Sequence, residues 1–506
     1  MLNAAHFINS FNFDKNTLLG VLARQATKNA LSIFIGTISG ALNTIIVLPR
    51  AFENFEEGWG LLKVLTAYAL IFSQFFHGGI PSMIIRYFPK LQNEEQQKNF
   101  LGFAYLAPVI GSLALIVVFS AFGFEALQLV NDKNAGLLKE NMGALLFLSA
   151  TLIFFYSING YLSAVLKTTV YQFLNETFLK SWYLIIAFAY WYDVVTFPQL
   201  MLCYIGGYAL ATVILLAYAL RSGLRVRWGA FPLKKAELAT YSLYSILDRG
   251  AGIVVNNLDI VMIGILLDLD NVAYYTLAFY IGAVTQLPQK AISAIANPLA
   301  SNAINTNNNK ALSDIYKQSS FNQFILGGIL FVAIWVSINE VMVLLPEKFS
   351  GGKWVVFFIG LSRLFQMATG VSGGILVYSK HFRLNFRLNL ILIVLTLVTN
   401  YFFIHKGYLN MDITGAAIAT AITLFIYNLV KIIYVKKHFQ ISPFSKHYGI
   451  GCLLLLLATT VYFWEPLRSN MIAAILLKSG LVTVILLGIT IKSGFFPELT
   501  KLFKRK

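Results

Sequence analysis

Charge and cysteine are both scarce in this sequence, and each shortage excludes a class of protein. Only 12% of the 506 residues are charged, whereas a soluble domain has about a quarter. The two cysteines, Cys203 and Cys452, lie in apolar runs, which are the surroundings of inert thiols. Alone they form neither a disulfide framework nor a zinc cluster.

Motifs for nucleotide hydrolysis and covalent chemistry are missing as well. No glycine-rich loop ends in Gly-Lys-Ser or Gly-Lys-Thr, so we expect no ATPase in the chain itself. No His/Glu pair at helical spacing is present to hold a metal. Asp268 and Asp270 form a DxD sequence, but it lies in a predicted outer turn, away from cytoplasmic nucleotide sugars. We therefore expect a protein that is not an enzyme and needs no cofactor.

Apolar residues dominate the composition instead. Hydrophobic residues make up 58% of the chain and aromatic residues 15%, with a mean hydropathy of +0.70. A soluble core has no room for so much apolar surface, so the natural solvent of most of the chain is lipid. The net charge of +17 suggests nucleic acid in a soluble protein. In a membrane protein it records topology, and we expect no nucleic-acid partner.

Long apolar stretches bounded by charge recur along the whole chain and predict about fourteen membrane helices. The longest connections have roughly twenty residues, which leaves no room for a soluble catalytic domain. Residues 1–29 lack a continuous apolar stretch, so we expect no cleavable signal peptide. The predicted spans are 30–47, 62–80, 101–122, 142–164, 173–191, 199–220, 242–265, 272–298, 321–345, 354–378, 388–405, 412–433, 448–464 and 471–491.

The distribution of lysine and arginine predicts which side of the membrane each loop occupies. With a cytoplasmic N-terminus, 27 of the 39 basic residues fall in cytoplasmic segments and 8 in outer loops. This bias predicts that both termini are cytoplasmic. The other four basic residues lie inside predicted helices, where a charge costs roughly 2.5 to 3.5 kcal/mol. They are Arg249, Lys290, Arg363 and Lys478. We expect function to depend on them, except that Lys478 is assigned to structure, snorkelling toward the interface.

A basic segment at residues 221–240 separates six predicted helices from eight, and it resembles a hinge between two bundles. A weak similarity between helices 1–2 and helices 7–8 agrees with an internal duplication. The expected fold is an all-α polytopic membrane protein with two six-helix lobes and two further helices. The predicted regions are a cytoplasmic N-terminal segment (1–29), an N-lobe (30–220), a basic cytoplasmic linker (221–240), a C-lobe (241–433), and two helices with a basic cytoplasmic tail (434–506).

Polar side chains recur at helical spacing on several predicted helices, and such stripes indicate a hydrated cavity. Helix 1 is predicted to have Ser32, Gly36, Gly40, Asn43 and Arg50 on one face, and helix 2 has Lys63, Thr66, Ser73, Gln74 and His77. Four helices are therefore expected to line a central lumen. The alternative is that uncharged members hydrogen-bond neighbouring helices as packing contacts. The stripes comprise Asp248, Arg249, Gly252, Asn256, Asn257 and Asp259 on helix 7, and Gln286, Gln289, Lys290, Ser293 and Asn297 on helix 8.

Two sets of short motifs identify a family. The first comprises Leu-Pro-Arg at 48–50, Glu-Gly-Trp-Gly at 57–60, Gly-Ile-Pro at 79–81 and Arg-Tyr-Phe-Pro at 86–89. The second comprises residues 257–264, 274–279, 287–288 and Ala-Asn-Pro at 296–298. Together they resemble bacterial polysaccharide-export (O-antigen) flippases of the multidrug/oligosaccharidyl-lipid/polysaccharide (MOP) superfamily. Ala273 departs from the pattern, because the family often has Gly before the Tyr.

The resemblance implies a function and roles for the polar residues. It implies two lobes in a V, which move a polyprenyl-pyrophosphate-linked oligosaccharide from the cytoplasmic to the outer leaflet of the bacterial inner membrane by alternating access. Polysaccharide polymerase and chain-length proteins are candidate partners. The implied roles are pyrophosphate binding by Arg249, Lys290 and Arg50; sugar binding by Asn43, Asn256, Asn257, Gln286 and Gln289; charge pairing or proton coupling by Asp248 and Asp259; and secondary roles for Arg363 and Arg86.

Three other functions stay open from the sequence. A cation-coupled small-molecule exporter of the same fold is expected to have a lumen dominated by acidic residues, but here four basic residues face two acidic ones. A membrane polymerase or ligase normally needs a large outer loop, which this chain lacks. A peptidoglycan-precursor flippase is a near neighbour that the sequence does not distinguish.

The predicted topology is tested with reporter fusions. Alkaline phosphatase fused after Asn271, in a predicted outer loop, is expected to be active because it forms its disulfides only outside the cytoplasm. The same reporter fused after Thr240 or Lys506 is expected to be inactive. Activity is measured relative to the amount of each fusion, and an active fusion after Thr240 would contradict the predicted orientation.

Overall fold

The structure is a computed structural model of the chain. It describes residues 28–29, 31–91, 93–127, 132–229, 235–379, 382–445, 447–465 and 470–492. Within these ranges, side chains are described except at 123–127, 132–133, 235–237, 239–240, 243–244, 247–249 and 382–383. Over all of the described backbone the only regular structure is helical, as the predicted all-α class requires.

The chain divides into two compact units, the first ending at Val272 and the second beginning at Ala273. The first unit contains nine helices among its described residues. They are α1 (Leu31–Ala51), α2 (Glu56–Phe76), α3 (Ile80–Tyr87), α4 (Glu94–Leu127), α5 (Asp132–Glu140), α6 (Met142–Ala164), α7 (169–191), α8 (Phe197–Arg221) and α9 (Lys235–Leu266).

Helix α10 begins at the end of the first unit and continues into the second. Short 3-10 turns lie at Val284–Gln286, Glu347–Gly352 and Thr459–Phe463. The helices from α10 onward are α10 (Leu269–Ala283), α11 (Leu287–Asn305), α12 (Asn309–Val336), α13 (Ile338–Leu344), α14 (Lys353–Met367), α15 (Ser372–Tyr378), α16 (Phe382–Ile404), α17 (Asp412–Phe439), α18 (His447–Ala458) and α19 (Met471–Lys492).

Most predicted spans correspond to helices, but several are interrupted. In the described part of the chain, nine helices are long and apolar enough to cross a membrane, and a tenth span is counted if the bent pair around residue 370 is taken as one. The predicted span 272–298 is divided by the turn at Val284–Gln286, and 321–345 by a break after Val336. The chain is a multi-pass membrane protein, and the count of fourteen stays a prediction.

Local sequence signals account for several helix boundaries. Helix α8 begins with a capping box, in which the side chains of Thr196 and Gln199 each pair with the other residue's backbone N–H. The Asn308 side chain accepts a hydrogen bond from the Ala311 N–H at 3.0 Å and caps α12. Gly370 has φ +52°, a left-handed conformation that favours glycine. It lies at the break where α14 and α15 differ in direction by 51°.

Close helix contacts build the first unit. Helix α2 packs against α6 and α9, and α6 also packs against α3 and α8. Gly60 on α2 lies so close to the chain at Leu269 that a Cβ atom would be 1.8 Å from that carbonyl oxygen. The Asn134 amide of α5 donates to the carbonyls of Gly264 and Leu267, at 3.0 and 2.7 Å, and so fixes the end of α9.

Helix α12 is the centre of the second unit, and α11, α14, α18 and α19 pack around it. Ser320 of α12 donates to the Ala368 carbonyl at 2.5 Å, and the Tyr448 hydroxyl of α18 forms a short hydrogen bond with the Ser320 hydroxyl. The far side of α19 is apolar and exposed, with Val484 71% accessible. Such a face suits contact with lipid.

A buried ion pair joins α19 to α13. The Lys478 ammonium lies 2.5 Å from the Glu340 carboxylate, and the lysine is only 1% exposed. The structural role predicted for Lys478 is thereby confirmed, but the predicted snorkelling is wrong. A charge in the bilayer needs either water or a partner, and here the partner is supplied by a neighbouring helix.

Removing one member of this ion pair is expected to destabilise the protein more than removing both. Lys478→Met leaves the Glu340 carboxylate buried and uncompensated, so we expect a loss of about 3–5 kcal/mol in unfolding free energy. The double variant Lys478→Met with Glu340→Leu is expected to recover most of this loss. Thermal unfolding in detergent measures both, with Lys492→Met, an exposed change on the same helix, as the control. A single variant as stable as that control would contradict the account.

Candidate functional site

The polar stripe of α9 is partly described. The side chains of Asp248 and Arg249 lie outside the described residues. Asn256 is exposed and Asn257 half-buried, and each amide donates to the carbonyl four residues earlier at 2.8 Å. One N–H of each amide is thereby used by the helix itself, and the rest of the group is available to other partners. Asp259 is 5% exposed and lies in the protein interior.

The stripe of the predicted eighth span lies at a break in the helix. Val284–Gln286 forms a 3-10 turn, and Pro288 lies in the first turn of α11, where its missing N–H is tolerated. The Gln286 amide donates to the Gln289 side-chain oxygen at 2.5 Å. Lys290 follows on the next position and is exposed. Within the described part of the chain, Lys290 forms no ion pair or hydrogen bond.

Arg363 is positioned by its own helix and by an aromatic ring. Its side chain is 7% exposed, and its Nη1 donates to the Gln366 side-chain oxygen, one turn later on α14, at 3.2 Å. The guanidinium carbon lies 5.5 Å from the centre of the Phe279 ring. This cation–π contact stabilises a charge away from water.

The two remaining arginines lie at helix ends in the first unit. Arg50 is half-buried near the end of α1, and its Nη1 donates to the Ile46 carbonyl at 2.9 Å. Arg86 is exposed at the end of α3, with its guanidinium 4.3 Å from the centre of the Tyr241 ring and 5.4 Å from that of Tyr87. Arg86 thus lies among aromatic rings at a helix end, a typical position for an interfacial side chain.

Asn43 lies in a different environment from the other predicted sugar ligands. It belongs to a π-helical segment of α1 (Leu42–Val47) and is 9% exposed. It lines a small cavity together with Lys63, Tyr183 and Tyr204. The structure therefore brings Asn43 next to a lysine that was not among the predicted site residues.

Two lysines that the topology count placed in loops lie within the described helices. Lys63 was predicted on the polar stripe of helix 2 but counted with the outer loops, whereas α2 begins at Glu56 and contains it. Lys431 was assigned to a cytoplasmic segment, but it is 8% exposed inside α17, with its ammonium 4.0 Å from the centre of the Tyr427 ring. The predicted span 412–433 contains Lys431, which is the signal that identifies it.

The described polar groups suit binding by hydrogen bonds and charge. Among the described residues, no group of three His, Cys, Asp or Glu side chains is arranged to hold a metal ion. Amides donate and accept hydrogen bonds, as sugar hydroxyls require, and an ammonium group binds phosphate as a point charge. Around the start of α11, the amides of Gln286 and Gln289 lie close in sequence to the ammonium of Lys290, so both kinds of group occur together.

The exposure of Lys290 is tested by cysteine labelling. In a variant with both native cysteines replaced by alanine, Lys290→Cys is expected to react with a charged, membrane-impermeant thiol reagent. Lys431→Cys is the matched control from a buried lysine of the same unit, and we expect it to react at least about tenfold more slowly because an exposed thiolate is the reactive form. Equal rates at the two positions would contradict the assignment of Lys290 to a hydrated surface.

Comparisons with known proteins identify the family and the fold. The family model "Polysaccharide biosynthesis protein" matches residues 26–304, more than half of the chain. No curated protein sequence matches the chain.

Solved structures share the fold at low sequence identity. One is the lipid II flippase MurJ in an inward closed conformation, with 13% identity and a TM-score of 0.71 over 92% of this chain and 99% of that one. A second is a multidrug resistance MATE family transporter of the MOP superfamily in an inward-facing conformation, with 12% identity and a TM-score of 0.62 over 81% and 94% of the two chains. The resemblance drawn from the sequence motifs is confirmed at this level. The chain belongs to the polysaccharide biosynthesis protein family and has the fold of MOP superfamily transporters.

Proposed function

We propose that the chain is a flippase for a polyprenyl-pyrophosphate-linked oligosaccharide. In this proposal it moves the repeat unit of a surface polysaccharide from the cytoplasmic to the outer leaflet of the bacterial inner membrane by alternating access. Both termini lie in the cytoplasm. Membership of the polysaccharide biosynthesis family supports the link to glycan assembly, and the shared fold of a lipid II flippase supports a lipid-linked cargo.

The observation that carries the proposal is the exposed lysine on the polar turn of α11. Lys290 has no ion-pair partner within the described residues, and the Gln286–Gln289 amide pair lies on the preceding turn. A lone ammonium in a membrane helix is costly unless it faces water or binds an anion. A pyrophosphate next to sugars is an anion flanked by hydroxyls, which matches an ammonium flanked by amides.

The other candidate residues complete the proposed site. Arg249 and Arg50 are proposed to share the pyrophosphate with Lys290, and Asn256 and Asn257 the sugar hydroxyls with the glutamines. Asn43 keeps its predicted sugar contact as a proposal that depends on its cavity opening. Further proposed roles are charge pairing or proton coupling by Asp248 and Asp259, and secondary charge contacts by Arg363 and Arg86.

Charge inside the helices favours an anionic cargo over the alternatives. Lys63 and Lys431 add two lysines without an ion pair to the described spans, whereas the carboxylates of Glu340 and Glu176 are each paired with a lysine. Lysines without an ion pair are therefore in excess among the described span residues. A multidrug resistance MATE family transporter has the same fold, but a cation-coupled exporter is expected to have a lumen dominated by acidic residues, and such an excess of lysines disfavours it. A peptidoglycan-precursor flippase is the second candidate. Its cargo belongs to the same chemical class, and the lipid II flippase MurJ shares the fold over 99% of the MurJ chain.

The proposal is tested by removing the charge of Lys290. Lys290→Ala is expected to weaken headgroup binding by one charge-assisted hydrogen bond, about 1.5–3 kcal/mol, or roughly tenfold to a hundredfold. In cells, surface polysaccharide should fall and lipid-linked oligosaccharide should accumulate on the cytoplasmic leaflet. Both are measured by extraction and by lectin accessibility in inverted and right-side-out vesicles.

Two variants make the experiment specific. Lys290→Arg keeps the positive charge and is expected to retain most export. Lys310→Ala removes an exposed lysine at the start of α12 in the same unit and is expected to behave as wild type. Normal export by a correctly inserted Lys290→Ala protein would contradict the assignment of the headgroup site.

A further inference from the structure

A small cavity inside the first unit contains a lysine without a counter-charge. The cavity has a volume of about 40 Å³ and is formed by α1, α2, α7 and α8. Its polar lining side chains are Asn43, Lys63, Tyr183 and Tyr204, and the remaining seven are apolar. None of the lining side chains is acidic, so the Lys63 ammonium has no carboxylate to pair with in this cavity.

Several polar groups in the cavity lack hydrogen-bond partners among the described residues. Lys63 makes no hydrogen bond or ion pair with any described residue. The Asn43 side-chain oxygen is buried and has no hydrogen-bond partner within the described part of the chain. Thr66 donates to the Leu62 carbonyl at 2.7 Å, so the Tyr204 hydroxyl, 2.9 Å from Thr66, donates its proton there. The Tyr183 hydroxyl is also buried and has no hydrogen-bond partner within the described part of the chain. Lys63, Asn43 and Tyr183 are therefore available to a ligand.

The size of the cavity determines what it can hold. A water molecule needs at least about 10–15 Å³ of such volume, so 40 Å³ accommodates at most about three or four water-sized particles. A sugar ring or a pyrophosphate group is larger than this space. The cavity is therefore separate from the headgroup contact proposed for Lys290. It shares only Asn43 with the proposed function, and the sugar contact of Asn43 requires the cavity to open, so the inference about the closed cavity does not depend on the proposed function.

The charge of the lining determines the kind of ligand. A metal cation is repelled by the ammonium and finds no carboxylate among the lining residues. Water alone solvates the ammonium without neutralising it, and an uncompensated charge in a low-dielectric interior is costly. A small monovalent anion neutralises Lys63 and accepts hydrogen bonds from the Lys63 ammonium, from the Asn43 Nδ2 and from the Tyr183 hydroxyl. The Asn43 side-chain oxygen is itself an acceptor and does not contact the anion.

We propose that the Lys63 cavity binds one small inorganic anion of halide size. Lys63 supplies the charge and Asn43 an amide donor, and the flanking apolar side chains keep the site narrow. Because α1, α2, α7 and α8 each contribute to the wall, the bound anion holds the four helices together. The fold of the first unit is therefore stabilised by the anion, as any ligand that binds only the folded state does.

The test compares the thermal unfolding of the purified full-length chain in sodium chloride and in sodium gluconate at equal ionic strength. Gluconate is too large for the cavity. Wild-type protein is expected to have a Tm several degrees higher in chloride, with a saturable dependence on chloride concentration. Bromide is expected to replace chloride. An identical Tm in both salts at every concentration would overturn the proposal.

Three variants make the assignment specific to this cavity. Lys63→Met is expected to abolish the chloride dependence. Asn43→Asp places a carboxylate beside Lys63, so an internal ion pair should replace the anion and give a chloride-independent Tm close to that of the saturated wild type. Lys431→Met removes a buried lysine of the second unit and should keep the full dependence. A chloride effect that persists in both Lys63→Met and Asn43→Asp would overturn the proposal. A chloride effect that is lost in Lys431→Met but kept in Lys63→Met would also overturn it.

A second measurement covers the case in which Lys63→Met does not fold. Lys63→Arg keeps the charge and is expected to retain a chloride-dependent Tm. If Lys63 were instead neutral and bound no anion, the Tm of wild-type protein would depend on pH to the same extent in chloride and in gluconate. That result would also overturn the anion site.

Discussion

The cost of charge in a medium of low dielectric constant shapes most of this molecule. In a span, an ammonium or guanidinium group must face water, pair with an opposite charge, lie over an aromatic ring or hold a ligand. The described spans contain an example of each of the first three solutions. Lys478 pairs with Glu340, Lys431 lies over the Tyr427 ring, and Lys290 is exposed. Each solution indicates a different role.

This division separates structural cations from those available to a cargo. A lysine that already has a carboxylate has little to offer a pyrophosphate, because binding would first have to break the pair. Lys290 forms no ion pair within the described residues, and its neighbours are the amides of Gln286 and Gln289 rather than acidic side chains. Lys63 is equally unpaired but lies in a cavity too small for the cargo. The volume of the space around each lysine therefore distinguishes the Lys290 site from the Lys63 cavity, although both contain an unpaired cation.

Helix positions were largely predictable from the sequence, and side-chain partners were not. The predicted span 142–164 corresponds to Met142–Ala164, and 471–491 to Met471–Lys492, because a long apolar run in lipid has to be helical. Hydropathy did not predict that Lys478 meets Glu340, since 138 residues separate them and only packing brings them together. It also counted Lys63 with an outer loop, although the predicted helix 2 contains this lysine, because a charge near a helix end is read as a boundary.

The central claim is that the chain itself moves a lipid-linked oligosaccharide across a bilayer. The most direct measurement uses purified protein reconstituted into liposomes that carry a fluorescent polyprenyl-pyrophosphate-linked oligosaccharide on one leaflet. Transfer is followed by the accessibility of the label to an impermeant quencher. The account predicts that wild-type protein equilibrates the label between the leaflets much faster than protein-free liposomes do. Equal rates with and without a folded, correctly inserted protein would contradict it.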